Sequence, residues 1–357
     1  LMLLQKREEN SISLAATADK GKLIELPQFD GKVSPKSSMI LLIGLVLGIA
    51  LPSLVLYIIQ FLRYRIEGHD DVESLTTIPI IADVAVANDS AKTRADIVVH
   101  ENQNNQMEEI FRSMRTNLQF MLKEGEKVIM FTSSTSGEGK TFNAANLAIS
   151  FALLGKKVVL VGLDVRKPRL AELFEIDNHH TGITNLLVKD NPSWEDVKKQ
   201  ILPSEVNKNL DLLMAGPVPP NPGEIISRPS LPEVIEHLKE HYDYVLIDTA
   251  PVGLVTDTLQ IGKYANVTVY MCRADYTPKA NFAMINQFRD EKKLPNMAIV
   301  INGIDMSKKK YGYYYGVGKY GRYRNYGSYS KYGSYSSSYG TYGNKYGTEN
   351  DNSLKLK

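Results

Sequence analysis

Residues 128–155 read VIMFTSSTSGEGKTFNAANLAISFALLG, and this stretch decides the fold. Its first four residues, 128–131, are apolar and typical of a buried strand, whereas residues 141–154 follow a helical pattern that ends at Gly155. Between strand and helix lies the sequence STSGEGKT, residues 134–141. A glycine-containing loop in this position can bind phosphate, because its backbone N–H groups and the N-terminus of the helix attract anions.

The loop is therefore predicted to bind the phosphates of a nucleotide through its eight residues, which are Ser134, Thr135, Ser136, Gly137, Glu138, Gly139, Lys140 and Thr141. Lys140 is expected to reach the β- and γ-phosphates, and Thr141 to offer its hydroxyl group to Mg²⁺. Ser134 stands where the strict phosphate-loop pattern has its first glycine. An ordinary glycine turn before Lys-Thr is the alternative, and the strand before the loop and the helix after it disfavour that interpretation.

Strand-like and helical patterns alternate along much of the chain. Apolar runs typical of strands occupy residues 128–131, 158–163, 210–214, 244–247, 267–271 and 297–301. Helical patterns occupy residues 107–122, 141–154, 231–241 and 278–293, and an apolar patch at 78–86 is a candidate for one more strand. This alternation predicts an α/β fold, a doubly wound and mostly parallel sheet like that of the P-loop NTPases, with helices on both faces. Ligands of such sheets bind beyond the C-terminal ends of the strands.

Two aspartates follow predicted strands and are expected at that edge. Asp248 ends the strand YVLI, in the position of a Walker B aspartate that helps to hold Mg²⁺. Asp164 follows the strand VVLVGL, and we expect it to bind Mg²⁺ through water or to accept a proton from an attacking hydroxyl group. Arg166 is expected either to contact phosphate or to brace the turn. A strand-end aspartate can also merely cap a turn, but the neighbouring phosphate loop favours the nucleotide interpretation.

Residues 39–62, MILLIGLVLGIALPSLVLYIIQFL, contain no charged side chain over 24 positions. At about 1.5 Å per residue a helix of this length can cross a hydrocarbon layer of roughly 30 Å, so we predict a transmembrane helix. A buried core helix is the alternative, but such helices rarely run so long without a charge. Residues 63–105 are expected to be a juxtamembrane linker. Because the basic residues on the two sides of the span nearly balance, the cytoplasmic placement of the C-terminal side follows from the nucleotide site.

Residues 307–357 differ from the rest of the chain in composition. They carry ten basic and two acidic side chains, a net charge of +8, whereas the whole chain has a formal charge of +2. They hold thirteen of the twenty tyrosines, which are Tyr311, Tyr313, Tyr314, Tyr315, Tyr320, Tyr323, Tyr326, Tyr329, Tyr332, Tyr335, Tyr339, Tyr342 and Tyr346. With almost no aliphatic side chain the segment is predicted to be a disordered tail. Adhesive and phase-separating chains have similar compositions, so the tail alone leaves a role without any enzyme open.

The charge and the cysteine content narrow the possible partners. The basic tail is attached to an acidic body, so it is expected to be attracted to that body and to anionic lipid head groups. No nucleic-acid partner is expected. The single cysteine, Cys272, excludes an internal disulfide framework, and its apolar surroundings in the sequence predict a role in packing.

The phosphate loop, the strand that leads to Asp164 and Arg166, the strand-end Asp248 and the tyrosine cluster together resemble the bacterial tyrosine kinase (BY-kinase) family, over about residues 100–346. The resemblance implies a kinase domain at residues 106–306 that uses ATP and Mg²⁺ to phosphorylate the tail tyrosines. It implies that Lys140, Thr141, Asp164 and Asp248 form the catalytic and metal site, with Asp164 as the favoured base. Gly162 stands where the family pattern D-x-D-x-R has its first aspartate, so a reduced metal affinity or rate is expected.

The resemblance also implies partners and a location. Glu109, Arg112 and Arg115 match the E-x2-R-x2-R oligomerisation element of the family, which implies a ring-like homo-oligomer, although any solvated helix edge can show this spacing. Residues 1–38 and the apolar span resemble the end of a polysaccharide co-polymerase module, with residues 1–38 outside the cytoplasm and belonging to a longer protein. The implied setting is a bacterial inner membrane, control of capsular or exopolysaccharide polymerisation and export, and a tyrosine phosphatase partner.

Two functions of other classes stay open at the level of the sequence. A partitioning or positioning ATPase of the same fold would hydrolyse ATP without a tyrosine acceptor, although Thr135 stands where such loops carry an additional lysine. A scaffold whose tail binds lipid or polysaccharide would use the nucleotide only as an assembly switch.

Overall fold

A computed structural model describes residues 2–16, 37–61, 64–85, 97–100, 105–176 and 180–305 of the chain. The chain divides into two compact units, residues 1–63 and residues 64–357. The predicted tail at 307–357 lies outside the described residues, together with all thirteen of its tyrosines. The disorder of the tail therefore stays a prediction.

The first unit contains two described helices, α1 (Met2–Ala16) and α2 (Ser37–Phe61). The 25 residues of α2 include no charged side chain. By length and composition, its segment Ser37–Ile58 could cross a membrane. The helix predicted at 39–62 is thus present, and its insertion into a membrane stays a prediction.

The second unit alternates strands and helices, as the sequence predicts. Its strands are β1 (Ile80–Ala85), β2 (Val128–Ser133), β3 (Val158–Leu163), β4 (Ile201–Pro203), β5 (Leu210–Leu213), β6 (Tyr244–Thr249), β7 (Val267–Arg273) and β8 (Met297–Ile304). Its helices are α3 (His69–Leu75), α4 (Gln106–Met121), α5 (Lys140–Leu153), α6 (Leu170–Leu173), α7 (Ile183–Leu187), α8 (Trp194–Gln200), α9 (Pro222–Ile226), α10 (Ser230–His241), α11 (Asp257–Gly262) and α12 (Asn281–Asp290).

The described strands form one eight-stranded sheet in the order β1-β8-β7-β2-β6-β3-β5-β4. Neighbouring strands are parallel, except that β4 runs antiparallel to β5 at one edge. All six predicted strands are present, and the predicted doubly wound, mostly parallel sheet is confirmed. The sequence gives no signal for β4, because this strand has only three residues, is partly exposed and ends in a proline that suits an edge.

Apolar side chains cover the sheet on both faces. On one face Phe111 of α4 and Leu147 of α5 are fully buried, and on the other face Leu238 of α10 and Phe282 of α12 are buried. Central strands such as β2 are buried throughout, which explains why they read as continuous apolar runs in the sequence. Cys272 of β7 is also buried, which confirms its predicted role in packing.

Residues 64–77 are part of the sheet unit, although the sequence assigned them to a linker, and the candidate strand at 78–86 is present as β1. Ile66 and Val72 are fully buried, and β1 pairs in parallel with β8. The main chain of Ile66 donates a hydrogen bond to the carbonyl of Thr277 at 3.0 Å and accepts one from the N–H of Asp275 at 2.7 Å. The apolar residues of this stretch follow neither a helical nor a strand period for long, so their burial depends on partners far along the chain.

We expect Ile66→Ala to destabilise the sheet unit by about 2 to 5 kcal/mol, because the substitution removes a fully buried side chain and leaves a cavity. Denaturant unfolding of the full chain in detergent would measure the change. Tyr64→Ala is the control from the same segment, since Tyr64 is 60% exposed and its loss should cost less than about 1 kcal/mol. Equal effects of the two substitutions would show that residues 64–66 do not pack as described.

Candidate nucleotide-binding site

The phosphate loop, residues 134–141, follows the C-terminal end of β2 in the middle of the sheet. The register places Phe131 of β2 opposite Asp248 of β6, and Asp248 opposite Gly162 of β3. The strand ends that carry Asp248 and Asp164 therefore meet beside the loop. This is the edge of the sheet at which parallel α/β folds bind their ligands.

Two glycines give the loop its shape. The φ angle is 88° at Gly137 and 93° at Gly139, in the left-handed region that residues with a Cβ atom rarely adopt. A Cβ atom at Gly139 would also lie only 2.0 Å from Nδ2 of Asn302. Consecutive N–H groups in turns of this kind form a concavity for anions, and the N-terminus of α5 adds its positive partial charge. The loop thus fits the phosphates of a nucleotide.

Lys140 begins α5 and is 7% exposed. Its Nζ atom donates a hydrogen bond to the hydroxyl oxygen of Ser133, at the end of β2, at 3.2 Å. The ammonium group is thereby held close to the loop, where the sequence predicts that it meets the β- and γ-phosphates. A buried lysine is costly without anionic partners, and phosphate oxygens would supply them.

Thr141 and Asp248 form the contact that joins the loop to β6. The Thr141 hydroxyl group donates a hydrogen bond to Oδ2 of Asp248 at 2.7 Å. Asp248 is 2% exposed, and its Oδ1 atom has no hydrogen-bond partner among the described residues. Burial raises the pKa of Asp248 to about 6.

This pair of side chains fits Mg²⁺. A buried carboxylate oxygen without a partner costs free energy until a cation or a water molecule meets it. Mg²⁺ usually takes one or two protein oxygens together with phosphate and water, so Thr141 and Asp248 would suffice as protein ligands.

Asp164 lies in the turn after β3, and its Oδ1 atom accepts a hydrogen bond from the N–H of Lys167 at 3.0 Å. Asp164, Asp248 and Gly162 are among the residues that line a cavity of about 20 Å³. This volume is sufficient for one water molecule. The cavity therefore connects the two carboxylates that the sequence predicts to act together.

Gly162 occupies the position where the resemblance leads one to expect an aspartate. A Cβ atom at Gly162 would meet the main-chain nitrogen of Ala215 and Cδ2 of Leu170 at 3.4 Å, which is ordinary contact distance. The neighbouring atoms therefore leave room for a Cβ atom at position 162, and packing does not require a glycine there. The effect of Gly162 on metal affinity stays a prediction.

Arg166 forms an ion pair with Asp257. Its Nε and Nη2 atoms lie 2.9 and 2.6 Å from Oδ2 of Asp257, which begins α11 and is 7% exposed. The sequence left two roles open for Arg166, a contact with phosphate or a brace for its turn. In the structure Arg166 braces the turn, because its ion pair with Asp257 links the turn after β3 to the segment after β6. The predicted contact of Arg166 with ATP stays a prediction.

The remaining loop residues divide between solvent and core. Ser136 and Gly137 are exposed, Thr135 is half-buried and Ser134 is buried. The side chain of Glu138 is fully buried. Glu138 can therefore offer a phosphate only its main-chain N–H group.

Three side chains outside the loop hold its carbonyl groups, and none of them was predicted. The hydroxyl group of Tyr276 donates a hydrogen bond to the carbonyl of Ser136 at 2.9 Å. Nη1 of Arg273 donates to the carbonyl of Gly137 at 3.0 Å, and Nδ2 of Asn302 donates to the carbonyl of Glu138 at 3.2 Å. No local sequence pattern marks these residues. The one available signal is their position at or just after the C-terminal ends of β7 and β8, because every strand end on this edge is close to the ligand site of such a sheet.

The three residues of the predicted oligomerisation element do not share one environment. Arg112 is half-exposed on α4, and its guanidinium nitrogens lie 3.6 Å from a carboxylate oxygen of the buried Glu108 and 3.6 Å from one of the exposed Glu109. Arg115 turns inward instead, where its Nη1 atom donates hydrogen bonds to the carbonyl and, at 3.2 Å, to the hydroxyl oxygen of Ser150. Burial lowers the pKa of Arg115. Glu109 and Arg112 are thus the members that a neighbouring subunit could contact directly.

We expect Asp248→Asn to stabilise the nucleotide-free protein near neutral pH. The pKa of Asp248 in the folded state, about 6, lies above its ordinary value of 3.8, so the folded state binds the proton more tightly than the unfolded state. The buried charge therefore lowers the free energy of unfolding as the pH rises from 3.8 to about 6, by up to about 3 kcal/mol in total. Asparagine carries no charge, and denaturant unfolding without Mg²⁺ should show a gain at about pH 7.5 that shrinks towards pH 4.

The control for this substitution is Asp190→Asn, at a carboxylate that is 93% exposed. It should change the free energy of unfolding by less than about 0.5 kcal/mol at either pH. A loss of stability in Asp248→Asn at both pH values would contradict the assigned cost of the buried charge.

Comparison with known proteins agrees with this geometry. The AAA domain family matches residues 126–271. The tyrosine-protein kinase YwqD of Bacillus subtilis is 35% identical over 208 residues, which cover 58% of this chain and 85% of that protein. The tyrosine-protein kinase wzc of Salmonella typhi is 29% identical over 334 residues, which cover 88% of this chain and 45% of that longer protein.

A solved structure leads to the same conclusion. The kinase domain of the Escherichia coli tyrosine kinase ETK superposes with a TM-score of 0.60 at 26% identity, and the match covers 71% of this chain and 100% of that domain. The matched AAA domain, residues 126–271, includes both the phosphate loop and Asp248. The chain belongs to the bacterial tyrosine kinase (BY-kinase) family.

Proposed function

We propose that this protein is a membrane-anchored, ATP-dependent kinase that phosphorylates the tyrosines of its own C-terminal cluster, residues 311–346. The observation that carries the proposal is the buried carboxyl group of Asp248. Its Oδ2 atom accepts a hydrogen bond from the hydroxyl group of Thr141, and its Oδ1 atom has no hydrogen-bond partner among the described residues. This arrangement stands directly beside a loop shaped for phosphate. Two relatives named tyrosine-protein kinases, YwqD of Bacillus subtilis and CpsD of Streptococcus pneumoniae, are 35% and 30% identical to this chain over 208 and 215 residues.

Positioning and charge stabilisation account for most of the rate in phosphoryl transfer, and the chain supplies both. The N–H groups of the loop and Lys140 would bind the phosphates of ATP. Thr141 and Asp248 would hold Mg²⁺, which neutralises charge on the phosphates. Asp164 is at the same edge and would accept the proton that the attacking tyrosine hydroxyl loses.

Topology supports the tail as the acceptor. Because β8 is parallel to β7 and β2, its C-terminal end lies at the edge of the sheet that carries the phosphate loop. Asn302 near the end of β8 contacts the carbonyl of Glu138 within the loop. Six residues lie between Ile304 and Tyr311, and the seven residue steps correspond to about 25 Å of extended chain. The first tyrosines can therefore reach the neighbourhood of a nucleotide, either in the same subunit or in an adjacent one.

The proposed setting is the bacterial inner membrane. Helix α2 would span the membrane, with the kinase unit and the tail in the cytoplasm. There the enzyme would regulate the polymerisation and export of capsular or exopolysaccharide, and a tyrosine phosphatase would reverse its action. Each phosphate adds a charge of about −1.5 to −2, so roughly four or five phosphates would cancel the net charge of the tail. Phosphorylation would thereby release tails that dock on acidic sites of neighbouring subunits.

Transfer between chains has a direct test. We expect a full-length Lys140→Met chain to become labelled on tail tyrosines when it is mixed with labelled ATP and an active chain truncated after Lys310. The Lys140→Met chain lacks the ammonium group at the phosphates, and the truncated chain lacks all thirteen tail tyrosines, so label on the tail of the recipient was transferred in trans. Mass spectrometry of the recipient would locate the phosphates.

Two controls complete this experiment. The Lys140→Met chain alone should remain unlabelled, and the unmodified chain should label itself. Absence of label on the recipient beside a self-labelling unmodified chain would disprove transfer in trans. ATP hydrolysis without any phosphotyrosine would favour an ATPase of the partitioning type, and nucleotide binding without either reaction would favour a scaffold.

The proposed homo-oligomer makes different demands on two residues of the predicted oligomerisation element. We expect Glu109→Ala to weaken assembly while the fold stays intact, because the side chain of Glu109 is 56% exposed and its ion pair with Arg112 is at the surface. Arg115→Ala should instead lower the free energy of unfolding by about 1 to 3 kcal/mol, since its hydrogen bonds to Ser150 are internal. Analytical ultracentrifugation and thermal unfolding in detergent would separate the two effects. Weakened assembly in Arg115→Ala without a loss of stability would contradict this division.

A further inference from the structure

Three successive carbonyl groups of the phosphate loop, those of Ser136, Gly137 and Glu138, accept hydrogen bonds from side chains that lie outside the loop. In a trans peptide group the C=O bond and the following N–H bond point in opposite directions within one plane. A side chain that holds the carbonyl of residue 136 therefore also orients the N–H group of residue 137. The same holds for the N–H groups of residues 138 and 139. These are the donors with which a phosphate loop binds its ligand.

Two of the three outside donors come from one short segment, residues 273–277, which we call the β7 turn. Arg273 holds the carbonyl of Gly137, and Tyr276 holds the carbonyl of Ser136. The β7 turn is closed internally by Thr277, whose hydroxyl oxygen accepts a hydrogen bond from the N–H of Arg273 at 2.8 Å. The two donors are thus fixed relative to each other.

The same threonine makes a third contact with the loop. The hydroxyl group of Thr277 donates to Oε1 of Glu138, while Oε2 of Glu138 accepts a hydrogen bond from the N–H of Thr135 at 2.8 Å. Glu138 and Thr277 are both fully buried. Burial raises the pKa of Glu138, and the hydrogen bonds from Thr135 and Thr277 oppose that shift. The carboxyl group faces the core, so the reacting phosphates are not its partners.

We propose that the β7 turn positions the phosphate loop for nucleotide binding, and that this positioning depends mainly on the buried hydrogen bond from Thr277 to Glu138. Glu138 and Thr277 act as positioning residues, since they touch no substrate and work through the direction of the loop N–H groups. The inference rests on the nucleotide site proposed above. It predicts that nucleotide affinity depends on a hydroxyl group that is shielded from the ligand by the loop itself.

The chain offers a matched pair of substitutions to test this. Thr277→Val removes the hydroxyl group that holds Glu138, with little change in shape. Thr268→Val makes the same change in β7 at a fully buried threonine whose hydroxyl oxygen has no hydrogen-bond partner among the described residues. Both are tested in the full chain in detergent, by titration calorimetry with MgADP and by the ADP-induced rise in the midpoint of thermal unfolding.

We expect Thr277→Val to weaken MgADP binding about tenfold, as the loss of a hydrogen bond to a charged or buried polar group would do. Thr268→Val should bind within about twofold of the unmodified chain. In steady-state assays Thr277→Val should raise KM for ATP more than it lowers kcat, and Thr277→Ser, which restores the hydroxyl group, should recover the affinity. Equal affinities in Thr277→Val and Thr268→Val would overturn the proposal.

Two substitutions at the other partner decide whether the contact acts by position or by charge. Glu138→Gln keeps the length of the side chain, an acceptor for the N–H of Thr135 and a polar group towards Thr277. Glu138→Ala removes all of these. We expect Glu138→Gln to bind MgADP within about threefold of the unmodified chain and Glu138→Ala to bind at least about tenfold more weakly. Equally severe losses in both variants would show that the negative charge is what matters, and would overturn a positioning role.

The outcomes separate this inference from the proposed function. If the unmodified chain bound no MgADP, the proposed function would fail before the variants were compared. If the unmodified chain bound MgADP and labelled its tyrosines while Thr277→Val retained full affinity, only the positioning role of the β7 turn would fail. If a variant unfolds at a lower temperature than the unmodified chain but ADP raises its midpoint by the same amount, the variant has lost stability and not affinity. That result also counts against a positioning role.

Discussion

The hydrogen bond from Thr141 to the buried Asp248 is the contact on which the rest of the site depends. It joins the first turn of α5 to the end of β6, so the helix that begins at Lys140 keeps a fixed direction towards the sheet. Because β6 lies between β2 and β3, the same carboxylate stands between the phosphate loop and the turn that carries Asp164. A parallel sheet brings its strand ends to one edge, and for this reason three distant segments of the chain can share one small site.

This site is costly for the protein without its ligand. Lys140, Glu138 and Asp248 are all buried, and two glycines hold the loop in left-handed conformations. Buried charges lower stability unless partners compensate for their lost hydration. The two apolar cores on either face of the sheet offset this cost. Phosphate oxygens would supply anionic partners for Lys140, and Mg²⁺ would meet Oδ1 of Asp248, so two of these costly groups are also groups that would bind a nucleotide.

Both boundaries of the described sheet unit come close to this site. The chain enters at residues 64–66, where Ile66 exchanges main-chain hydrogen bonds with Thr277 and Asp275 just beyond β7. It leaves through β8, where Asn302 contacts the phosphate loop. The β7 turn lies between the entering segment and the loop, and it contacts both. The loop is therefore held by the β7 turn and by Asn302, and the entering segment contacts the β7 turn.

Local patterns were sufficient to predict the six strands, the phosphate loop, the strand-end Asp164 and Asp248, and the doubly wound sheet, because long apolar runs and a glycine-rich loop between strand and helix are properties of neighbouring residues. They did not reveal β4, which is short and partly exposed, or the membership of residues 64–77 in the sheet unit. Tertiary structure alone also decided three further features. They are the pairing of Arg166 with Asp257, the inward direction of Arg115 and the hydrogen bonds between the β7 turn and the loop. Each of these depends on which strands become neighbours and on which side chains then lack a partner.

By itself the sequence determined which chemical groups stand at the ends of the strands. The packing of the sheet decided which of those groups are buried, because burial and hydrogen bonding are set by residues far apart along the chain.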